Sequence, residues 1–228
     1  MRLIFPPRCP MCGALSEKGR ICDSCKPEVC KIEPPVCKRC GSGKKYCKCA
    51  ENRHLFEACT SAYYYKGAVR RGVQRYKFRD KPSSSRFFID ACAKKVSEEY
   101  AGYIIDVVTA VPMHKDDKKE RGFNSADLLA KGIAKKLKLN CDCEILQKPY
   151  KNKKQRTLSM NERAGNVLGV YEVAKPEAVT GKTVLLCDDV FTTGATFDEC
   201  AKMLLFAGAD TVLCVCAAIT PPPQRENH

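Results

Sequence analysis

Asp188 and Asp189 stand side by side where an apolar run, Val184-Leu185-Leu186-Cys187, ends. Two residues further on the chain reads Thr192-Thr193-Gly194-Ala195-Thr196. A strand that delivers two carboxylates, followed by a Thr-Thr-Gly turn that opens a helix, suits a sugar phosphate. Backbone N–H groups at such a turn and at the helix N-terminus favour a phosphate. Gly194 lets the backbone approach the ligand, and the threonine hydroxyls donate hydrogen bonds. The paired carboxylates accept from two vicinal hydroxyls or hold a divalent cation indirectly. A lone Asp-Asp reads as a turn or a helix start; the flanking sequence sets this pair apart.

The second chemical signal is sulfur. Of 17 cysteines, ten lie in the first 59 residues. Cys9-x2-Cys12-x9-Cys22-x2-Cys25 has zinc-ribbon spacing: two tight knuckles each give two thiolates to one tetrahedral ion. A second set follows, Cys37-x2-Cys40 and then Cys47-x-Cys49, whose second half is less regular. Cys30 and Cys59 are spare and could replace a ligand there. Four thiolates and no open position make both sites structural. Cys92, Cys141, Cys143, Cys187, Cys200, Cys214 and Cys216 read as small core hydrophobes or idle surface thiols.

The elements that must position these groups follow from patterning. Residues 1–50 are rich in Cys, Pro, Gly and Lys and lack apolar periodicity, so they need a metal staple. The expected division is a double zinc ribbon over 1–50 and an α/β domain over 51–228. Strands are expected at Ser61–Tyr65, Ile104–Val111, Cys143–Leu146, Val167–Val173, Thr183–Val190 and Thr211–Ile219. A turn at Lys66-Gly67 leads into a basic segment reaching Lys81. Helices are expected over Phe87–Tyr100, after an Asn124-Ser125 cap, and over Ala195–Phe206. In the middle one, Ala126, Leu129, Ala130, Ile133, Ala134 and Leu137 share a face. Residues 147–163 read as a long basic loop, and 221–228 as a frayed tail. Strands alternating with helices imply a doubly wound, mainly parallel sheet.

Length and charge bound the rest. The chain has 228 residues, with 40 Lys+Arg against 26 Asp+Glu, a formal charge of +14. Two zinc sites of four thiolates each would bring that to about +10. No apolar run approaches the roughly 18 residues of a membrane span. The start, Met1 to Pro7, is too short for a secretory leader. The expectation is a cytoplasmic protein without membrane insertion, whose thiols stay reduced.

The stretch Val184–Thr196 resembles the signature of the type I phosphoribosyltransferases along its whole length. The resemblance implies that Asp188 and Asp189 contact the ribose hydroxyls of 5-phosphoribosyl 1-pyrophosphate (PRPP). It implies that Thr192, Thr193, Gly194, Ala195 and Thr196 cradle the 5-phosphate, with Mg²⁺ arriving on the pyrophosphate. A narrower resemblance covers nearly the whole chain. It rests on the double ribbon, Tyr64-Tyr65-Lys66-Gly67, Tyr76-Lys77-Phe78, Val111-Pro112-Met113-His114 and Arg121-Gly122-Phe123-Asn124, and on Gln155, Arg163, Asn166 and Gly169. This combination is similar to the ComF family, linked to bacterial DNA uptake. It implies a pyrophosphate loop at Val111, Pro112 and Met113, a mobile loop with Gln155 and Arg163, and Lys77 and Arg121 as site cations. It also implies a hood over residues 51–100 above a core of 101–220. Val170-Tyr171 departs from the small residue and Phe usual there.

Residues 66–81 carry Lys66, Arg70, Arg71, Arg75, Lys77, Arg79 and Lys81; residues 147–156 carry Lys148, Lys151, Lys153, Lys154 and Arg156. Tyrosines and phenylalanines sit beside them, as in grooves that hold single-stranded DNA without reading sequence. A solvated surface and pyrophosphate electrostatics are the plainer readings. Three functions follow. The first is handling of incoming single-stranded DNA with PRPP–Mg²⁺ as ligand, the ribbons docking a competence helicase or the strand. The second is phosphoribosyl transfer in nucleotide metabolism to an unidentified acceptor. The third, a zinc or redox sensor, is disfavoured by the closed four-thiolate spacing. His114 reads as a solvent-side loop residue, or as an acid that orients pyrophosphate.

Overall fold

A computed structural model describes residues 6–51, 53–78, 81–150 and 169–221. In chain order the elements are β1 (Ala58–Thr60), α1 (Gly67–Phe78), α2 (Lys81–Glu99), β2 (Val107–Ala110), α3 (Lys115–Arg121) and α4 (Ser125–Leu137). Then come β3 (Leu146–Gln147), β4 (Glu172–Val173), β5 (Thr183–Phe191), α5 (Ala195–Phe206) and β6 (Thr211–Ile219).

The main sheet has the order β1-β6-β5-β2, and each of its three strand pairs is parallel. β3 and β4 form a separate antiparallel pair. Val184–Cys187 of β5 and Val212–Ile219 of β6 are continuous apolar runs because both faces are covered, as parallel sheets require. Their alternate residues serve two cores. Leu185, Cys187, Leu213 and Val215 pack with Cys92 and Val96 of α2 and Leu129 and Ile133 of α4. Val184, Leu186, Val212 and Cys214 pack with Phe197, Cys200 and Leu204 of α5. A third cluster joins Cys9, Met11 and Cys25 of the first ribbon to Ala68, Val69, Val73 and Tyr76 of α1.

α5 and β6 occupy the expected ranges, and Asn124 caps α4 by accepting from Ala126 N–H. Four expectations are corrected. The strand expected at 61–65 lies at 58–60; Tyr63 and Tyr64 make only isolated bridges, to Lys31 and Ile219. The basic segment after Gly67 is a helix, whose apolar side, Ala68, Val69, Val73 and Tyr76, is fully buried. The run 104–111 shortens to Val107–Ala110, with Ile104 85% exposed. The strand expected at 143–146 forms at Leu146–Gln147, paired with Glu172–Val173. α3 carried no signal because Lys-Asp-Asp-Lys-Lys-Glu-Arg has no apolar face. It is held by its ends: His114 accepts from Asp116 N–H, and Gly122 takes the left-handed conformation. Residues 167 and 168 and most of the 147–163 loop lie outside the described residues, as does the tail from 222.

Candidate functional site

Both cysteine sets converge. The sulfurs of Cys9, Cys12, Cys22 and Cys25 all lie within 4.8 Å of one another, and so do those of Cys37, Cys40, Cys47 and Cys49. Zn–S bonds of about 2.3 Å set a tetrahedron edge of about 3.8 Å. Cys12 and Cys22 are 3.6 Å apart and Cys37 and Cys49 3.9 Å, so the donors fit zinc. Backbone N–H groups aim at the sulfurs, Cys22 at Cys9 Sγ and Cys49 at Cys47 Sγ, each 3.4 Å. Burial pushes the Cys9 thiol up, but N–H groups of Cys12, Cys22 and Met11 outweigh it and bring it down to about 6. The two sites are the four-cysteine zinc sites of a double ribbon. Cys30 and Cys59 belong to neither cluster.

The first ribbon is clamped to α1 by the basic residues of that helix. Arg71 grips Glu28 with both nitrogens, at 2.8 and 2.9 Å, and reaches Cys25 Sγ at 3.8 Å. Gly13 takes φ +80°, and a Cβ there would fall 2.0 Å from the Arg75 guanidinium. Two of the cations assigned by sequence to a basic groove therefore dock the ribbon instead.

At the C-terminal end of β5 the two carboxylates diverge in role. Asp189 is buried between two donors: Lys77 Nζ lies 2.6 Å from its Oδ1, and Ser125 Oγ donates to its Oδ2 at 2.7 Å. α1 brings Lys77 here because Tyr76, one residue earlier, is fully buried and its hydroxyl donates to the Ser125 carbonyl. Asp188 is half-buried, and its Oδ1 accepts from Asp189 N–H at 2.7 Å. Burial raises the Asp188 carboxyl, the Asp189 charge adds to it, Lys77 opposes both, and the result is about 7. A second cation, Lys148, also acts on Asp188 electrostatically. Its ammonium sits 5.5 Å from the Tyr171 ring centroid, and burial pulls its pKa down.

The loop after β5 exposes Thr192 and Thr193 and buries Gly194. No side chain caps α5 at Gly194, and Thr193 Oγ1 accepts weakly from Ala195 N–H at 3.3 Å. The helix start thus directs backbone donors at the loop opening, with Ala195 and Thr196 half-buried beside it. Gly194 has φ +88°, and a Cβ there would lie 2.6 Å from His54 Cε1. His54 itself is buried, stacks on Phe56, and places Nδ1 2.8 Å from Asp198 Oδ2 in the first turn of α5. Leu55 N–H reaches the other oxygen of Asp198, also at 2.8 Å. The segment before β1 is therefore stapled beneath the loop. Sequence reasoning missed His54, Ser125 and the approach of Lys148 to Asp188. Their partners are 144, 64 and 40 residues away in the chain, and no local pattern announces them.

β2 is the neighbour of β5, and Val111 N–H donates to Cys187 O at 2.9 Å. Val111, Pro112 and Met113 thus leave the sheet beside Asp188. His114 is corrected: it is buried, and it caps α3 instead of lying in solvent. Arg121 ends α3 and is half-buried and engaged. Asn124 ties this segment together, donating to Val111 O at 3.0 Å and Asp127 Oδ1 at 2.7 Å. Gln155 and Arg163 lie outside the described residues.

The chain is similar to several known proteins. The family model for the double zinc ribbon domain matches residues 1–61. Competence protein ComFC of Bacillus subtilis is 27% identical over 85% of this chain and 81% of its own. Competence protein F of Haemophilus influenzae is 25% identical, over 86% and 88%. DNA utilization protein YhgH of Escherichia coli is 33% identical over half of each chain. Among solved structures, glutamine PRPP amidotransferase from Bacillus subtilis, complexed with ADP and GMP, is similar at 22% identity. That match covers 63% of this chain and 30% of the other, with a TM-score of 0.42. The class these observations define is a double zinc ribbon on a parallel α/β domain whose strand β5 carries Asp188 and Asp189 into the loop before α5. Along most of its length the chain is similar to proteins from two competence systems, and its first 61 residues match the double zinc ribbon.

Proposed function

We propose that this chain binds PRPP with Mg²⁺ at the β5–α5 loop and acts in the handling of incoming single-stranded DNA during natural transformation. The observation that carries the binding site is the convergence of Asp188, Asp189 and Lys77 beside the uncapped start of α5. The 5-phosphate takes the backbone N–H groups of Thr193 to Thr196. The ribose hydroxyls meet Asp188, while Asp189, which already accepts from Lys77 and Ser125, fixes the geometry. The pyrophosphate lies toward Val111, Pro112 and Met113, with Arg121 as a further cation; Gln155 and Arg163 are the contributions that the family resemblance adds. Mg²⁺ would enter with the pyrophosphate and neutralise its oxygens. The names of the competence relatives support the DNA role. Lys66 and Arg70, on the exposed side of the α1 start, remain available to a strand or a helicase.

A second reading, phosphoribosyl transfer to an acceptor, is favoured by Lys148. Lys77 and Lys148 both act on Asp188, and two cations at that place suit stabilisation of departing pyrophosphate. Calorimetry with PRPP and Mg²⁺ tests the site: saturable binding is expected, and Asp188→Ala with Asp189→Ala should abolish it at unchanged zinc content. No heat with the unaltered protein refutes the proposal. Pyrophosphate release on adding candidate bases separates transfer from binding alone. DNA affinity should fall steeply with salt; a flat dependence removes the DNA role.

A further inference from the structure

We propose that Cys141 and Cys143 form a redox-active dithiol that closes to a disulfide by exchange with low-molecular-weight disulfides. The pair lies outside both zinc clusters and outside the β5–α5 site. Cys141 is bridged to Val108 along the outer side of β2, and Asp142 N–H donates to Val108 O at 3.0 Å. The segment is therefore held open to one side by the sheet edge. Both thiols are half-buried, and their sulfurs are 3.8 Å apart, close enough for a short side-chain rotation to bring them to bonding distance. Cys143 Sγ otherwise has only a long contact, 4.0 Å, to the Asp127 carbonyl of α4.

The two sulfurs are not equivalent. The hydrogen bond from Cys143 lowers the Cys141 thiol, and the charge of Lys131 lowers it further. The same hydrogen bond and burial raise Cys143. This is the asymmetry of an attacking and a resolving cysteine. The other thiols outside the two zinc clusters differ: Cys59, Cys92, Cys187, Cys200, Cys214 and Cys216 are at most 2% exposed, and the half-buried Cys30 donates to the Glu28 carbonyl at 3.7 Å instead of facing another thiol.

The exchange balances in two steps. The Cys141 thiolate attacks one sulfur of the small disulfide, forming a mixed disulfide and releasing one thiolate. Cys143 gives its proton to solvent, and its sulfur attacks Cys141 Sγ, releasing the second thiol. Two protein thiols are oxidised and one small disulfide is reduced to two thiols. The one-residue loop strains the product, which makes it readily reducible.

Trypsin gives a clean readout. The peptide 139–151 contains these two cysteines and no other, because Lys148 is followed by Pro149. The zinc-loaded full-length protein is treated with oxidised glutathione, then alkylated and digested. The expected peptide is about 2 Da lighter than the dithiol form, carries no alkyl group, and returns to the dithiol with dithiothreitol. Cys143→Ser should trap glutathione on Cys141. Cys141→Ser should react at residue 143 at least about tenfold more slowly. A peptide that keeps both thiols free, two glutathione adducts without the lighter species, or equal reactivity of the two variants overturns the proposal. None of these readouts involves PRPP.

Discussion

Asp188 offers a quantitative test of the site electrostatics. Its carboxyl rises from 3.8 to about 7 in the fold, first through burial and then through the Asp189 charge. A carboxyl raised by folding keeps its proton in the native state where the unfolded chain has released it. Stability therefore falls as pH rises from 3.8 toward 7 and levels off above it. The full difference corresponds to about 4 kcal/mol, an upper figure because Asp188 is partly exposed and water screens it. Asp188→Asn keeps the shape and removes the titration. The variant should be more stable than the parent, and its advantage should grow by about 1.4 kcal/mol between about pH 6 and about pH 8. Screening reduces that growth to about 1 kcal/mol. Urea unfolding of both proteins at fixed free zinc measures it, since the other titrating groups cancel in the difference. An advantage that stays constant over this interval, or shrinks, refutes the buried, like-charged environment assigned to Asp188.

Three further outcomes are expected. Metal analysis should find two zinc ions per chain, and Cys9→Ser should leave one; a first ribbon that keeps its zinc without Cys9 contradicts the four-cysteine assignment. His54→Ala removes the support under Gly194 and the partner of Asp198, so calorimetry should show PRPP binding weakened about tenfold with zinc content unchanged; an unaltered Kd means the loop does not need that brace. Arg71→Ala should cost about 0.5–1 kcal/mol in urea unfolding, because the Glu28 pair is half-exposed, and adding Glu28→Ala should cost little more; additive losses would show that the two side chains act separately.

The legible parts of the sequence were those whose signal is local. Val184 to Thr196 contains its strand, its carboxylates and its turn in one stretch, and the cysteine knuckles carry their spacing with them. α4 was readable because six apolar residues repeat on one face and Asn124 caps it. Ser61–Tyr65 misled because apolar and aromatic residues there pack on the ribbon and on Phe87, and only an isolated bridge from Tyr64 to Ile219 joins the segment to β6. The basic run after Gly67 hid a helix, since four buried apolar residues are interleaved with arginines whose targets, Glu28 and the turn at Gly13, lie in the ribbon. Charge read along the chain suggested a nucleic-acid groove; read in space, part of it is an internal clamp. The same limit hid Lys148, which follows β3 and acts electrostatically on Asp188, 40 residues further along the chain.

The outward side of β1 carries a last implication. Cys59 N–H, which faces away from β6, donates to the Arg39 carbonyl at 2.9 Å, between the second ribbon's ligands Cys37 and Cys40. The ribbon thus stands where a further strand would otherwise add. An open parallel edge invites pairing with another chain. A chain that failed to load its second site would leave this edge uncovered, so zinc in the second ribbon is expected to hold back intermolecular strand addition at β1.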